Sequence, residues 1–271
     1  MNRMDKKVCV VTGATQGLGA AIGRRLAAAG AAGIAVTGRN EQRGNTLAKG
    51  LSEEFGVPIV FIRADLGSVD DCRRVITETD RRFGRLDVLV NSGASTERGT
   101  ILDTDPALFD RIFATNVRGP YFLMQGAIKL MIRDGIEGAI CNIGSISALS
   151  GQPFINAYCA SKGALTTLTA NTAFSVAGNR IRINQLNVGW MASDQEQKNQ
   201  AADDPDWLEK AAKQLPFGRL VDPAEAARAV NFLVSDDAGL MTGSIVNFDQ
   251  SVWGAAASGM PAPEGPMKLP V

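Results

Sequence analysis

The chain has 271 residues, 45% of them hydrophobic and 21% charged, and its 28 basic residues balance 28 acidic ones. This length supports one full α/β core, and the lack of a basic excess argues against a nucleic-acid or membrane surface. The histidine count of 0 removes Ser-His-Asp and Cys-His triads and His-ligated zinc or haem, so protons must move through Tyr, Lys, Asp, Glu or Cys.

The opening MNRMDKKVCVV is charged and then only briefly apolar. It has no signal-peptide core, and no run in the chain approaches the ~18 apolar residues of a membrane helix. A cytoplasmic location is expected. From here short apolar runs alternate with helix-period segments. Strands are predicted at 8–12, 33–37, 58–62, 86–90, 138–143, 180–186 and 243–248. Helices are predicted at 17–29, 41–54, 68–83, 105–133, 153–177, 205–214 and 223–235. The strands are rich in Val and Ile and apolar on both faces, as parallel strands covered by helices should be. Strand–helix repetition implies βαβ crossovers and a seven-stranded parallel sheet with helices on both faces. Residues 1–251 read as one domain, and the Gly-, Ala- and Pro-rich 252–271 as a tail. Cys9, Cys72, Cys141 and Cys159 show no C-x-x-C spacing and read as reduced thiols, most of them small core residues; Cys159, beside Tyr158, is either a reactive thiol or a small residue packed under its helix.

The first βα turn, VVTGATQGLGAAIGRRLAAAG, places Gly13, Gly17 and Gly19 between an apolar strand and an amphipathic helix. Glycines there let backbone approach a pyrophosphate, and the helix start offers free N–H groups and a positive dipole end. Further on, AYCASK sets Tyr158 and Lys162 four positions apart, one turn apart on the same helix face. A phenol beside an ammonium is either ordinary helix packing or a device to lower the phenol pKa.

The spacing of the glycines is G-x-x-x-G-x-G, and several motifs follow in order: ADL at 64–66, NSGA at 91–94, TNVRGPYF at 115–122, NIGSISA at 142–148, YCASK at 158–162 and NVGWMAS at 187–193. Together, over roughly residues 6–250, they resemble the short-chain dehydrogenase/reductase family. The resemblance implies a doubly wound Rossmann-type domain and an NAD(P)-dependent oxidoreductase that interconverts a carbonyl and a secondary alcohol. It implies Tyr158 as general acid/base and Lys162 as the group that binds the nicotinamide ribose and lowers the Tyr158 pKa. It makes Ser145 the holder of the substrate oxygen and Asn116 the support of a proton relay through water and Lys162. Hydride transfer to a ketone builds charge on oxygen, which calls for a hydrogen-bond donor and a proton source.

The resemblance also implies a set of cofactor residues. Gly13, Thr15, Gln16, Gly17, Leu18 and Gly19 form the phosphate turn. Asp65 and Leu66 lie at the adenine, Asn91 and Gly93 near its ribose, and Val188 and Ser193 near the carboxamide. Three departures stand out: NSGA replaces Asn-Asn-Ala-Gly, NVG replaces Asn-Pro-Gly, and Gln16 occupies a position where many NADP-dependent members carry a base. The alternative is a catalytically silent dinucleotide-binding regulator, against which the intact Asn116, Ser145, Tyr158 and Lys162 argue. Enoyl reductases of the family usually space Tyr and Lys more widely.

NAD enzymes usually end the second strand in a carboxylate that takes both ribose hydroxyls. Here the strand ends AVTGRN, with Gly38 in the acidic position and Arg39 next. A guanidinium pairs with a phosphate through two parallel hydrogen bonds, so NADP(H) is expected as the preferred cofactor, with NAD(H) as the second. Glu41 lies close enough to oppose this. A substrate lid is expected over 190–215, with Trp190, Met191 and Trp207 as apolar contacts. Gln152, Glu97 and Gln195 can face a hydroxylated substrate, which favours a sugar or polyol. The long helices 105–133 and 153–177 resemble those that pair subunits in the family. With Phe113, Phe122, Met124, Leu165 and Leu168 as their apolar positions, a homotetramer is expected.

Overall fold

The structure, a computed structural model, describes residues 3–149, 152–193, 196–197, 200 and 204–251. The expected tail at 252–271, Gln195 and part of the expected lid lie outside them. Seven strands form one sheet: β1 Val8–Val11, β2 Gly33–Gly38, β3 Ile59–Arg63, β4 Val88–Asn91, β5 Ala139–Ser145, β6 Arg182–Val188 and β7 Ile245–Phe248. All neighbouring pairs are parallel, in the order β3-β2-β1-β4-β5-β6-β7. The chain winds outward from β1 in one direction, then restarts at β4 and winds the other way. That reversal opens a crevice at the carboxyl ends of β1 and β4, where α/β sheets bind ligands.

Helices cover both faces because the strands alternate between two apolar layers. Cys9 and Val11 of β1 join one core with Ile22, Leu26, Leu51, Val230 and Leu233. Val10, between them, joins the other with Val75, Ile76, Leu123, Met124 and Met131. The first layer belongs to α1 Gly17–Ala28, α2 Glu41–Phe55 and, near the end, Pro223–Val234; the second draws on α3 Val69–Phe83. Cys9, Cys72 and Cys141 are free and buried. Burial pushes all three thiols up, Cys72 to about 11 and Cys141 to about 12, which makes them inert packing residues.

The predicted helix 105–133 is not continuous. It comprises α4 Pro106–Phe113, a five-residue π-helical segment Ala114–Arg118, and α5 Gly119–Arg133. Two adjacent residues account for the break. A side chain on Gly119 would fall on the Leu66 carbonyl, and Pro120 has no N–H to donate. The predicted helix 153–177 is α6 Asn156–Ser175, and 205–214 is α7 Trp207–Lys213, with Pro223–Val234 as α8. Strand β5 runs on to Ser145, and β6 to Val188, beyond their expected ends. Of the apolar positions read as covering the sheet or a neighbour, Met124 and Leu165 are buried, and Phe122 and Leu168 pack partly buried against the second core. The outward apolar residues of these helices are instead Phe109, Tyr121, Ile132 and Phe174.

Candidate active site

A single cleft of about 2190 Å³ runs along the carboxyl edge of the sheet. At one end lies the glycine turn. Gly13 has φ +63, and a Cβ there would fall on the Gly93 Cα; a Cβ on Gly19 would fall on the Gly13 carbonyl. The β1 and β4 loops therefore touch backbone to backbone, which only glycine permits. Thr12 Oγ1 fixes the contact by accepting from Ser92 N at 3.0 Å and Gly93 N at 3.2 Å. Gly13, Thr15, Gln16, Gly17, Leu18, Gly19 and Gly93 all line the cleft.

Asp65 and Leu66 also line it. One oxygen of Asp65 accepts from Gly67 N at 2.9 Å, which orients the carboxylate and leaves its other oxygen for a ligand. Asn91 does not reach the cleft: its side chain is buried and donates to Asn142 Oδ1 at 2.8 Å. The strand pleat turns the Asn91 side chain into the sheet, while Gly93 lines the cleft. Arg39 is exposed, lines the cleft and makes no hydrogen bond or ion pair among the described residues. Gly38 is small for a physical reason, since a Cβ there would lie 2.5 Å from Thr15 Cγ2. An acidic residue at 38 would displace Thr15.

The chemical groups converge where β5 meets α6. Ser145, the last residue of β5, is buried and hydrogen-bonds the Tyr158 hydroxyl; its Oγ also accepts from Ser147 N at 3.1 Å. Lys162 is buried and donates through Nζ to the Ile143 carbonyl at 2.8 Å, 5.6 Å from the centre of the Tyr158 ring. Burial pushes the Tyr158 phenol up from its ordinary value, opposed by the Ser145 hydrogen bond. Lys162 faces the ring and a carbonyl, and its own ammonium is pushed down to about 8 by burial.

Asn116 sits in the π-helical segment, buried. Its Oδ1 accepts from Ser95 N at 2.7 Å, and its Nδ2 donates to Ser95 O at 2.9 Å and Ser161 Oγ at 3.0 Å. Ser161 Oγ in turn donates to the Tyr158 carbonyl at 2.7 Å. Both amide donors are used, so the Asn116 side chain anchors the β4 loop to α6. Val188 pairs in register with Ser145, and Ser193 faces Gly17, whose added Cβ would lie 3.9 Å from its own.

At the far end of the cleft Gln152, Trp190 and Met191 line the wall as expected. Gln152 accepts from Ser147 Oγ at 3.4 Å. Glu97 is already engaged, accepting from Ser95 Oγ at 3.0 Å and pairing with Arg111 at 3.3 Å. Trp190 Nε1 donates to Glu196 at 3.0 Å and its ring tilts against Trp207 at 6.1 Å. Trp207, Ala211 and Leu220 form a small core of their own under this region. Arg98 and Phe154 at the cleft, and Arg43 beside it, were not singled out by the sequence reading. Arg98 lies over the Phe154 ring at 5.5 Å, and both line the wall. Arg43, one helical turn after Arg39, donates to Gln16 Oε1 at 2.9 Å; the i, i+4 spacing of the two arginines was its only signal.

The family model described as enoyl-(acyl carrier protein) reductase matches residues 13–251. An uncharacterized oxidoreductase of Thermotoga maritima is 34% identical over 245 residues, 90% of this chain and 96% of its own length. The L-rhamnose 1-dehydrogenase (NAD(P)(+)) of Azotobacter vinelandii is 33% identical over 250 residues, 91% of this chain and 96% of its own. Among solved structures, L-sorbose reductase from Gluconobacter frateurii, complexed with NADPH and L-sorbose, superimposes with a TM-score of 0.87 at 26% identity, over 94% of this chain and 100% of that one.

Proposed function

The chain belongs to the short-chain dehydrogenase/reductase family and is an oxidoreductase, and from that premise we propose that it interconverts a carbonyl and a secondary alcohol with NADP(H) as preferred cofactor. The observation that carries this reading is the meeting of Ser145, Tyr158 and Lys162 at the end of β5, in the same cleft as the glycine turn. The cleft fits a dinucleotide: bare glycine backbone at the phosphate end, one Asp65 oxygen left for the adenine, and Arg39 without an ion pair among the described residues. When bound, the nicotinamide supplies or accepts the hydride.

The chain's own residues supply the rest. Ser145 holds the substrate oxygen. Tyr158, kept protonated at neutral pH by burial, gives its proton to that oxygen as negative charge builds during carbonyl reduction and takes one from the alcohol in the reverse direction. Lys162 sits below the Tyr158 ring and holds the ribose, and its charge favours the phenolate once Tyr158 has given up its proton. Asn116 keeps α6 and the β4 loop in place so that these atoms stay aligned. Although the matching family model carries an enoyl reductase description, the four-residue spacing of Tyr158 and Lys162 favours carbonyl chemistry.

The substrate end combines Gln152 and Ser147 with the faces of Phe154, Trp190 and Met191. Hydrogen-bonding groups beside flat apolar surface suit a small hydroxylated carbonyl, and the names of the rhamnose dehydrogenase and sorbose reductase relatives support a sugar or polyol. Residues 1–251 form the catalytic domain, acting as a homotetramer in the cytoplasm. NADPH oxidation over a panel of sugars, simple ketones, steroids and acyl thioesters tests the reading. Turnover concentrated on hydroxylated carbonyls is expected, and turnover confined to acyl thioesters or steroids would overturn the substrate class.

A further inference from the structure

The sequence leaves the phosphate side of the cleft one cation short, because Gln16 is neutral. The structure fills that gap from a different element. Arg43, the third residue of α2, reaches back to the glycine turn and donates through Nη1 to Gln16 Oε1 at 2.9 Å. Gln16 lines the cleft, as do Thr15, Gly38 and Arg39. The contact holds the Gln16 carboxamide by its oxygen, leaving its N–H2 group as a donor. Two guanidiniums thus stand on the α2 side of the turn, and among the described residues neither is in an ion pair. Glu41, in the first turn of α2, is the nearby carboxylate and pairs with neither. The start of α2 is already capped, since Asn40 Oδ1 accepts from Arg43 N at 2.9 Å.

We propose that Arg43 is a specificity-determining residue: held by Gln16, it is the second cation that selects a dinucleotide bearing a phosphate on its adenine ribose. A ribose phosphate carries close to two negative charges at neutral pH, so one guanidinium leaves it under-neutralised. Arg39 takes it directly. Arg43 adds positive field and aims the Gln16 donor toward it. An unphosphorylated ribose gains little from either charge. The inference rests on the NADP reading above.

The test is titration of the holo-competent enzyme with NADPH and with NADH, following nicotinamide fluorescence, in wild type, Arg43→Gln, Arg43→Lys and Arg39→Ala. Arg43→Gln keeps a donor for Gln16 and removes the charge, so it separates charge from a structural tie. It should weaken NADPH about three- to tenfold and NADH by less than about twofold. Arg43→Lys should retain most of the NADPH affinity. The loss should shrink as salt is raised, because the site is exposed. Wild-type NADPH affinity in Arg43→Gln, or an equal loss for both cofactors, overturns the inference. If Arg39→Ala alone abolishes the preference while Arg43→Gln is neutral, this inference falls and the NADP reading stands. Wild type binding NADH as tightly as NADPH removes the NADP reading itself.

Discussion

Lys162 Nζ donates to the carbonyl oxygen of Ile143 at 2.8 Å, two residues before Ser145 on the same strand. That bond joins the helix carrying Tyr158 to the strand carrying Ser145, and it keeps the ammonium in a buried position where the charge is costly.

The cost has a pH signature. Burial holds Lys162 down to about 8, against 10.5 for the free group. Between those values the folded chain has released this proton and the unfolded chain still binds it, so this group's contribution to stability rises with pH. Below the lower value both states are charged and the full burial cost is present. The Tm of wild type minus that of Lys162→Met should therefore climb by a few degrees between about pH 7.5 and about pH 9.5. A difference that stays flat or falls would show that Lys162 does not titrate as its burial requires.

Gly144 faces a buried chain of amides. Asn91 donates to Asn142, Asn142 to Thr169, Gln185 to Thr166 and to Asn187, and Asn187 to Asn247, all at 2.7–3.0 Å. A Cβ on Gly144 would fall on Asn187 Oδ1 and Gln185 Nε2. Gly144→Ala should cost about 1–3 kcal/mol, through overpacking and a broken buried hydrogen bond. An unchanged denaturant midpoint would contradict this.

These two sites show where sequence reading stops. The strands were legible because a parallel strand covered on both faces must be apolar throughout, as VCVV and GIAV are. The candidate catalytic residues could be named because they lie in short motifs at fixed spacing. The π-helical break at 114–118 was not legible, since ATNVR keeps a helix-compatible composition, and of the two residues that follow it only Pro120 signals a break in the sequence, while the close approach of Gly119 to the Leu66 carbonyl appears in the fold alone. Asn91 was named from its place in the NSGA motif, and only the pleat of β4 shows that its side chain goes to Asn142. The Arg43–Gln16 contact joins two elements 27 residues apart, and only folded geometry brings them together.

On the proposed reading, cofactor choice depends first on Arg39. One charge-assisted pair with a phosphate contributes about 1.5–3 kcal/mol, so kcat/KM should favour NADPH over NADH by about tenfold to a hundredfold. Arg39→Ala should remove most of that ratio by weakening NADPH alone. An unchanged ratio would place the discrimination elsewhere.

Assembly can be read from what the fold leaves outside. Phe174 is 87% exposed on α6, and Tyr121 and Ile132 are about half exposed on α5. Light scattering at micromolar protein should give a tetramer, with a dimer as the next species. A monomer would refute the expectation that these helices meet those of another copy.

The central claim is that Tyr158 moves the proton at the substrate oxygen. Tyr158→Phe keeps the ring above Lys162 and removes only the hydroxyl that Ser145 contacts. Single-turnover NADPH oxidation with a carbonyl substrate, run beside NADPH binding, tests it most directly. Cofactor affinity should stay within about threefold of wild type while the rate falls by on the order of a hundredfold or more. A Tyr158→Phe enzyme that binds NADPH and turns over at close to the wild-type rate would contradict the account.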